Sequence, residues 1–141
     1  MTPEQIELVQ RAWGRVTALN NTYVQEVYAE LFRLSPDLIN LFPDPAGMPV
    51  TKVSETLNTV ITSLEQLDAL GFIIRDLGRR HRQFNVQSHQ FGLLKQALTL
   101  VLARRLGEHF TPALSDAWSQ MYDEIAALML EGLGQHTPSV V

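Results

Sequence analysis

The 141-residue sequence predicts an all-α domain of about seven helices. Three observations carry that expectation. Apolar residues recur at intervals of three and four through most of the chain. The pair Ser/Thr-Pro occurs three times, as Thr2-Pro3, Ser35-Pro36 and Thr111-Pro112. Such a pair starts a helix well: the hydroxyl accepts from an orphan amide of the first turn, and proline there forfeits no hydrogen bond. No segment shows the period-two alternation of a half-buried strand.

Taken in order, Ile6, Val9, Trp13 and Val16 mark a first helix from Thr2 to about Leu19, and Gln5 completes a capping box with Thr2. Asn20-Asn21 interrupts it. Val24, Val27, Tyr28, Leu31 and Phe32 define a second helix to Leu34, and Pro36 opens a short third one to Leu41. Residues 43–49, Pro-Asp-Pro-Ala-Gly-Met-Pro, form the one stretch dense in helix breakers and predict an irregular corner. A long amphipathic helix follows through Val53, Leu57, Val60, Ile61, Leu64 and Leu67. Gly71 is expected to separate it from a shorter helix, Phe72 to Phe84. Ser88 caps the next helix, which stops at Gly107, and the last runs from Pro112 to Gly132 or Gly134. The domain is expected to span residues 1–134, with 135–141 a frayed tail.

The totals narrow the function. A formal charge of −4 and the lack of a basic patch argue against a nucleic-acid surface. The absence of cysteine rules out disulfides, thiolate-held zinc, iron–sulfur clusters and the thioether attachment of c-type haem. The N-terminus is acidic and polar, unlike a secretory signal, and no apolar run reaches the ~18–20 residues that span a bilayer. These features predict a cytoplasmic chain with no membrane partner.

One segment is more specific: Leu77-Gly78-Arg79-Arg80-His81, followed by Arg82-Gln83-Phe84-Asn85-Val86. On its residues alone, a histidine among arginines reads as a solvated surface side chain. The segment, however, resembles the proximal stretch of globins, particularly single-domain bacterial globins and neuroglobin-like proteins. Pro36, Phe42, Trp13, Phe110-Thr111-Pro112-Ala113 and Ala117-Trp118-Ser119-Gln120-Met121-Tyr122 fall in the same order and spacing, so the resemblance covers about residues 3–130. It implies the globin fold around one haem b, with His81 on the iron and Phe42 wedged against the porphyrin. A neutral imidazole would bind through Nε2 while Nδ1–H donates to a backbone carbonyl, for which Leu77 stands at i−4. His89, His109 and His136 read as surface residues.

The opposite face departs from the family. Counting back from His81, the position usually held by histidine or glutamine is Pro49, which offers no donor; a slip of one residue gives Met48 or Val50, and neither donates. Tyr28 remains as the donor candidate for a bound gas, its bland alternative being a core tyrosine. Val53 is expected over the haem. Lys52 is expected either at a propionate or in solvent. No histidine lies between Asn20 and Arg80, so a second axial histidine from the distal helix is excluded; Tyr28, Lys52 or Met48 would have to supply any internal sixth ligand.

The resemblance further implies a haem wall of Phe42, Val53, Leu57, Leu77, Val86, Phe91 and Leu94, with Arg80 or Arg82 at a propionate. Periodicity alone makes the aliphatic members plain core.

The function implied is reversible binding of O₂, NO or CO. The alternative is redox enzymology at the same iron, NO dioxygenation or nitrite reduction, fed by a separate reductase. Flavohaemoglobins carry a glutamate deep in the last helix and a tyrosine beyond the proximal segment. Here those positions are Leu133 and Phe91, with Glu131 expected to face elsewhere. A haem-less interaction domain is the third class, and His81 in its intact motif argues against it. A monomer and an isologous homodimer both stay open.

Overall fold

The computed structural model describes residues 1–19, 22–41, 50–80 and 88–134. Among them are six α-helices: α1 (Pro3–Leu19), α2 (Tyr23–Leu34), α3 (Val50–Thr62), α4 (Leu67–Arg80), α5 (Ser88–Leu106) and α6 (Pro112–Leu133). Three 3-10 segments join them, Pro36–Leu41, Leu64–Gln66 and Gly107–His109. The third helix read from the sequence is the first of these tighter turns. The breaker-rich corner at 43–49 and the tail at 135–141 lie outside the described residues.

The local signals act as their chemistry requires. Thr2 and Gln5 close a reciprocal box: the Gln5 amide donates to Thr2 Oγ1 at 3.1 Å, and the Thr2 amide donates to Gln5 Oε1 at 2.9 Å. Thr111 Oγ1 accepts from the Leu114 amide at 3.2 Å and starts α6. At the other end Gly134 adopts φ 77°, ψ 17°, and its amide donates to the Glu131 carbonyl at 3.0 Å. Ser35 works through its backbone, donating to the Leu31 carbonyl and accepting from the Leu38 amide.

One boundary differs from the sequence expectation. Gly71 does not separate two helices; it is buried inside α4, and the break falls at Ser63. The cause is polar competition with the helix ladder. Thr62 Oγ1 donates back to the Asn58 carbonyl at 2.7 Å, and the Ser63 amide slips to the Val60 carbonyl. Gln10 of α1 then takes up the Ile61 carbonyl through Nε2 at 3.0 Å and also donates to Glu65 at 2.8 Å. A helical glycine costs only about 1 kcal/mol, which the packing of α4 readily offsets.

The core draws on α1, α2, α3, α5 and α6. Val9, Trp13 and Val16 of α1 meet Val24 and Val27 of α2, Ile61 of α3, Val101 and Leu102 of α5, and Ala117, Trp118 and Met121 of α6. α6 lies mainly along α4 and also meets α1 and α5, whereas α2 crosses α5 and α3 touches α1 and α2. Arg105 of α5 ties the α1–α2 corner together. It donates to the Val16 carbonyl at 3.1 Å, to Thr22 Oγ1 at 2.6 Å and to Glu26 at 2.8 Å, with its guanidinium over the Tyr23 ring.

Glu30 is the buried acid at the α2–α5 crossing. The hydrogen bond from Arg104 (2.6 Å), and next that from Arg33 (2.9 Å), hold its carboxyl below the usual carboxylate range. A depressed value contributes stability at and above the ordinary carboxylate pKa, and this is lost as pH falls through the depressed one. Glu30→Gln is therefore expected to unfold at lower urea than the parent at neutral pH. The gap should close on acidification; a gap of equal size at pH 7 and pH 2 would sever the link to ionisation.

Candidate functional site

Three helices carry the described wall candidates, which pack in the core or at its rim. α2 supplies Tyr28. α3 supplies Val53 and Leu57, four apart and so on one helical face, and α5 supplies Phe91 and Leu94. Phe91 is buried, whereas Tyr28, Val53, Leu57 and Leu94 are half-buried and packed against the same core cluster. Each of these four packs one flank on the core and keeps another accessible. A broad apolar disc needs such a set of partly covered side chains from several elements. The residues present therefore fit a haem.

Tyr28 stacks on Phe32 one turn away, with ring centroids 6.1 Å apart and planes inclined by 22°. Burial pushes its phenol above the ordinary tyrosine value, so it stays protonated and able to donate at any physiological pH. The other two tyrosines donate to main-chain carbonyls. Tyr23 donates to the Leu98 carbonyl at 2.9 Å, and Tyr122 donates to the Phe91 carbonyl at 2.6 Å. The second bond fixes the backbone of a wall residue from α6, a link with no sequence signal because its acceptor is a main-chain atom.

Lys52 is exposed at the start of α3. Among the predicted proximal residues, Leu77 is half-buried on α4, and Arg80 is exposed and pairs with Asp76 at 3.3 Å. Arg79 pairs with the same carboxylate. Phe72, 71% exposed, and Ile73 lie on the outer side of α4. His89 is exposed in the first turn of α5, and His109 is exposed in the 3-10 turn before α6. His81, Phe42, Met48, Pro49, Arg82 and Val86 fall outside the described residues. The structure thus packs Phe91 in the core and Tyr28, Val53, Leu57 and Leu94 at its rim, and sets Leu77 and Arg80 on α4, the helix that precedes His81 in the sequence.

Reasoning from the sequence missed the contact between α4 and α6. A Cβ on Gly78 would lie 2.8 Å from Met129 Cα and closer still to the Met129 carbonyl oxygen. A Cβ on Gly132 would lie 2.7 Å from the Arg75 carbonyl carbon and 2.9 Å from the Arg79 amide nitrogen. Beside them Arg75 Nε donates to Glu131 Oε2 at 2.8 Å. Glu131 thus points to α4, and Leu133 is buried. The glycines were visible in the sequence, but nothing there told which backbone each would meet. Among the described residues no helix is long and apolar enough to cross a membrane, and no cluster of three or more His, Cys, Asp or Glu could hold a metal ion.

Comparison with known proteins agrees with this geometry. The family model described as globin matches residues 25–129. The chain is 28% identical to a neuroglobin of Tetraodon nigroviridis, covering 89% of this chain and 88% of that protein. It is 27% identical to neuroglobin-1 of Oncorhynchus mykiss, over 94% and 92%. A flavohemoprotein of Deinococcus radiodurans is 28% identical over 92% of this chain but only 33% of its own length. With a family model matching most of its length, an all-α architecture and an apolar rim built from α2, α3 and α5, the chain belongs to the globin family.

Proposed function

We propose that the chain holds one haem b with His81 as its axial ligand and takes O₂, NO or CO reversibly on the opposite face. The observation that carries this reading is the rim of half-buried side chains from three helices with Tyr28 among them. Haem, when bound, supplies a ferrous centre with affinity for diatomic gases. The protein supplies the rest. Val53, Leu57, Phe91 and Leu94 exclude water and hold the disc by apolar contact. Tyr28, kept neutral by burial, donates to the partial negative charge of a gas ligand, work that Pro49 cannot do. Lys52, exposed, can reach toward a propionate, and Arg80, also exposed, would exchange its Asp76 partner for one. The domain spans residues 1–134 and works in the cytoplasm, as a monomer or a homodimer.

The test has two parts. Purified protein supplied with haemin should give a Soret band and bind O₂ in the reduced state. Tyr28→Phe should then release O₂ at least tenfold faster, equivalent to losing ~1.4 kcal/mol of hydrogen bonding. Unchanged release in stopped flow would remove Tyr28 from ligand retention, and colourless protein that refuses haemin would end the reading.

The flavohemoprotein likeness supports a second reading, redox chemistry on NO or nitrite with electrons from a separate reductase. Leu133 and Phe91, where the flavohaemoglobin pattern has glutamate and tyrosine, speak against it. Turnover of NO or nitrite with a supplied reductase decides between the two.

A further inference from the structure

The helix that leads to His81 is gripped by α6 through its backbone. The grip is reciprocal: Gly78 of α4 faces the Met129 peptide of α6, and Gly132 of α6 faces the Arg75 peptide of α4. Each glycine occupies the place where the other helix presents a carbonyl, and a methyl group at either would overlap main-chain atoms. Arg75 enters twice, through its carbonyl at Gly132 and through its guanidinium on Glu131. Helices separated by long side chains can adjust by changing rotamers, whereas facing backbones have no such slack. Gly78 stands three residues before His81 in the sequence. The nearest fixed point on the chain before His81 is therefore a main-chain contact with α6.

We propose that the Gly78–Gly132 contact, braced by Arg75 and Glu131, sets the position of His81 relative to the haem and so the strength of its bond to iron. Gly78 and Gly132 are positioning residues, acting on the histidine through α4. The inference rests on the haem reading given above and goes beyond it by naming what holds the axial ligand. Gly14 supplies an internal control: it lies in α1, and a Cβ there would meet nothing within 4 Å.

The experiment uses the ferrous, gas-free holoprotein and reads the iron–histidine stretching band by resonance Raman, together with the rate of haem transfer to a scavenger protein. Gly78→Ala and Gly132→Ala are expected to shift the band to lower frequency and to speed haem loss about tenfold or more, as outer-shell changes at metal sites do. Arg75→Met should shift it less in the same direction, and Gly14→Ala should leave both readouts at the parental value. A band unmoved in folded Gly78→Ala and Gly132→Ala protein, or moved equally in Gly14→Ala, overturns the proposal. Should the two alanine variants not fold, Arg75→Met decides alone, and an unmoved band there overturns it. Parental protein without a histidine–iron band would instead overturn the haem reading itself.

Discussion

Substituting His81 by leucine is expected to loosen haem by on the order of a hundredfold or more. Partners that merely orient a metal ligand are worth about 10–100-fold, so the ligand itself should be worth at least the upper end of that range. Leucine keeps the volume and removes the nitrogen lone pair, leaving the apolar rim to hold the disc alone. Two measurements check it: the rate of haem transfer to a scavenger, and the loss of the five-coordinate ferrous spectrum. The variant should keep the helical content of the parent, since it leaves the buried Trp118, Val101 and Ile61 unchanged. Equal haem retention in parent and variant would assign the axial role to another residue.

Trp118→Ala is the second large effect, and it falls on folding. Trp118 is among the largest fully buried side chains, enclosed between α6 and the rest of the core. Truncating it removes the indole's apolar contact and leaves a cavity, a loss of about 3–5 kcal/mol. A loss of that size should lower the melting temperature of the apoprotein by roughly 10 °C. Trp118→Phe should cost much less. The indole Nε1–H has no hydrogen-bond partner among the described residues, so phenylalanine gives up area but also removes a buried donor without an acceptor. Thermal melts of the two variants side by side carry the test. Equal losses would mean that the N–H is satisfied in solution, and a loss below about 1 kcal/mol for alanine would mean that this site does not close the core.

Much of the fold was legible because local chemistry and tertiary packing agree. The Thr2–Gln5 box, the Thr111 cap, the glycine stops at 107 and 134 and the apolar stripes of α1, α2 and α6 all mean in the structure what they mean in the sequence. Where they disagree, the tertiary partner wins. Gly71 looked like a break but is carried inside α4, while Thr62-Ser63 looked ordinary and became one, because a glutamine from α1 was waiting for the freed carbonyl. Of the site, the structure shows less. Phe91, named from register, lies in the core cluster, and Tyr28, Val53, Leu57 and Leu94 pack half-buried against it. Arg80 was named for its charge, and its partner Asp76 lies four residues back on its own helix. The α4–α6 contact was illegible, since a glycine in a helix says that something comes near and never what.

The partition of contacts among the helices has a consequence for how such a protein can change. Tyr28, Val53, Leu57, Phe91 and Leu94 sit on α2, α3 and α5, with α2 packed on both of the others, while α4 leans chiefly on α6. The two groups meet through α6, which also packs on α5 and whose Tyr122 holds the Phe91 carbonyl. On the proposed reading, a change to the donor over the gas can therefore be absorbed mostly within the first group, whereas a change in α6 is felt on both sides, so α6 is the element a lineage has least freedom to alter.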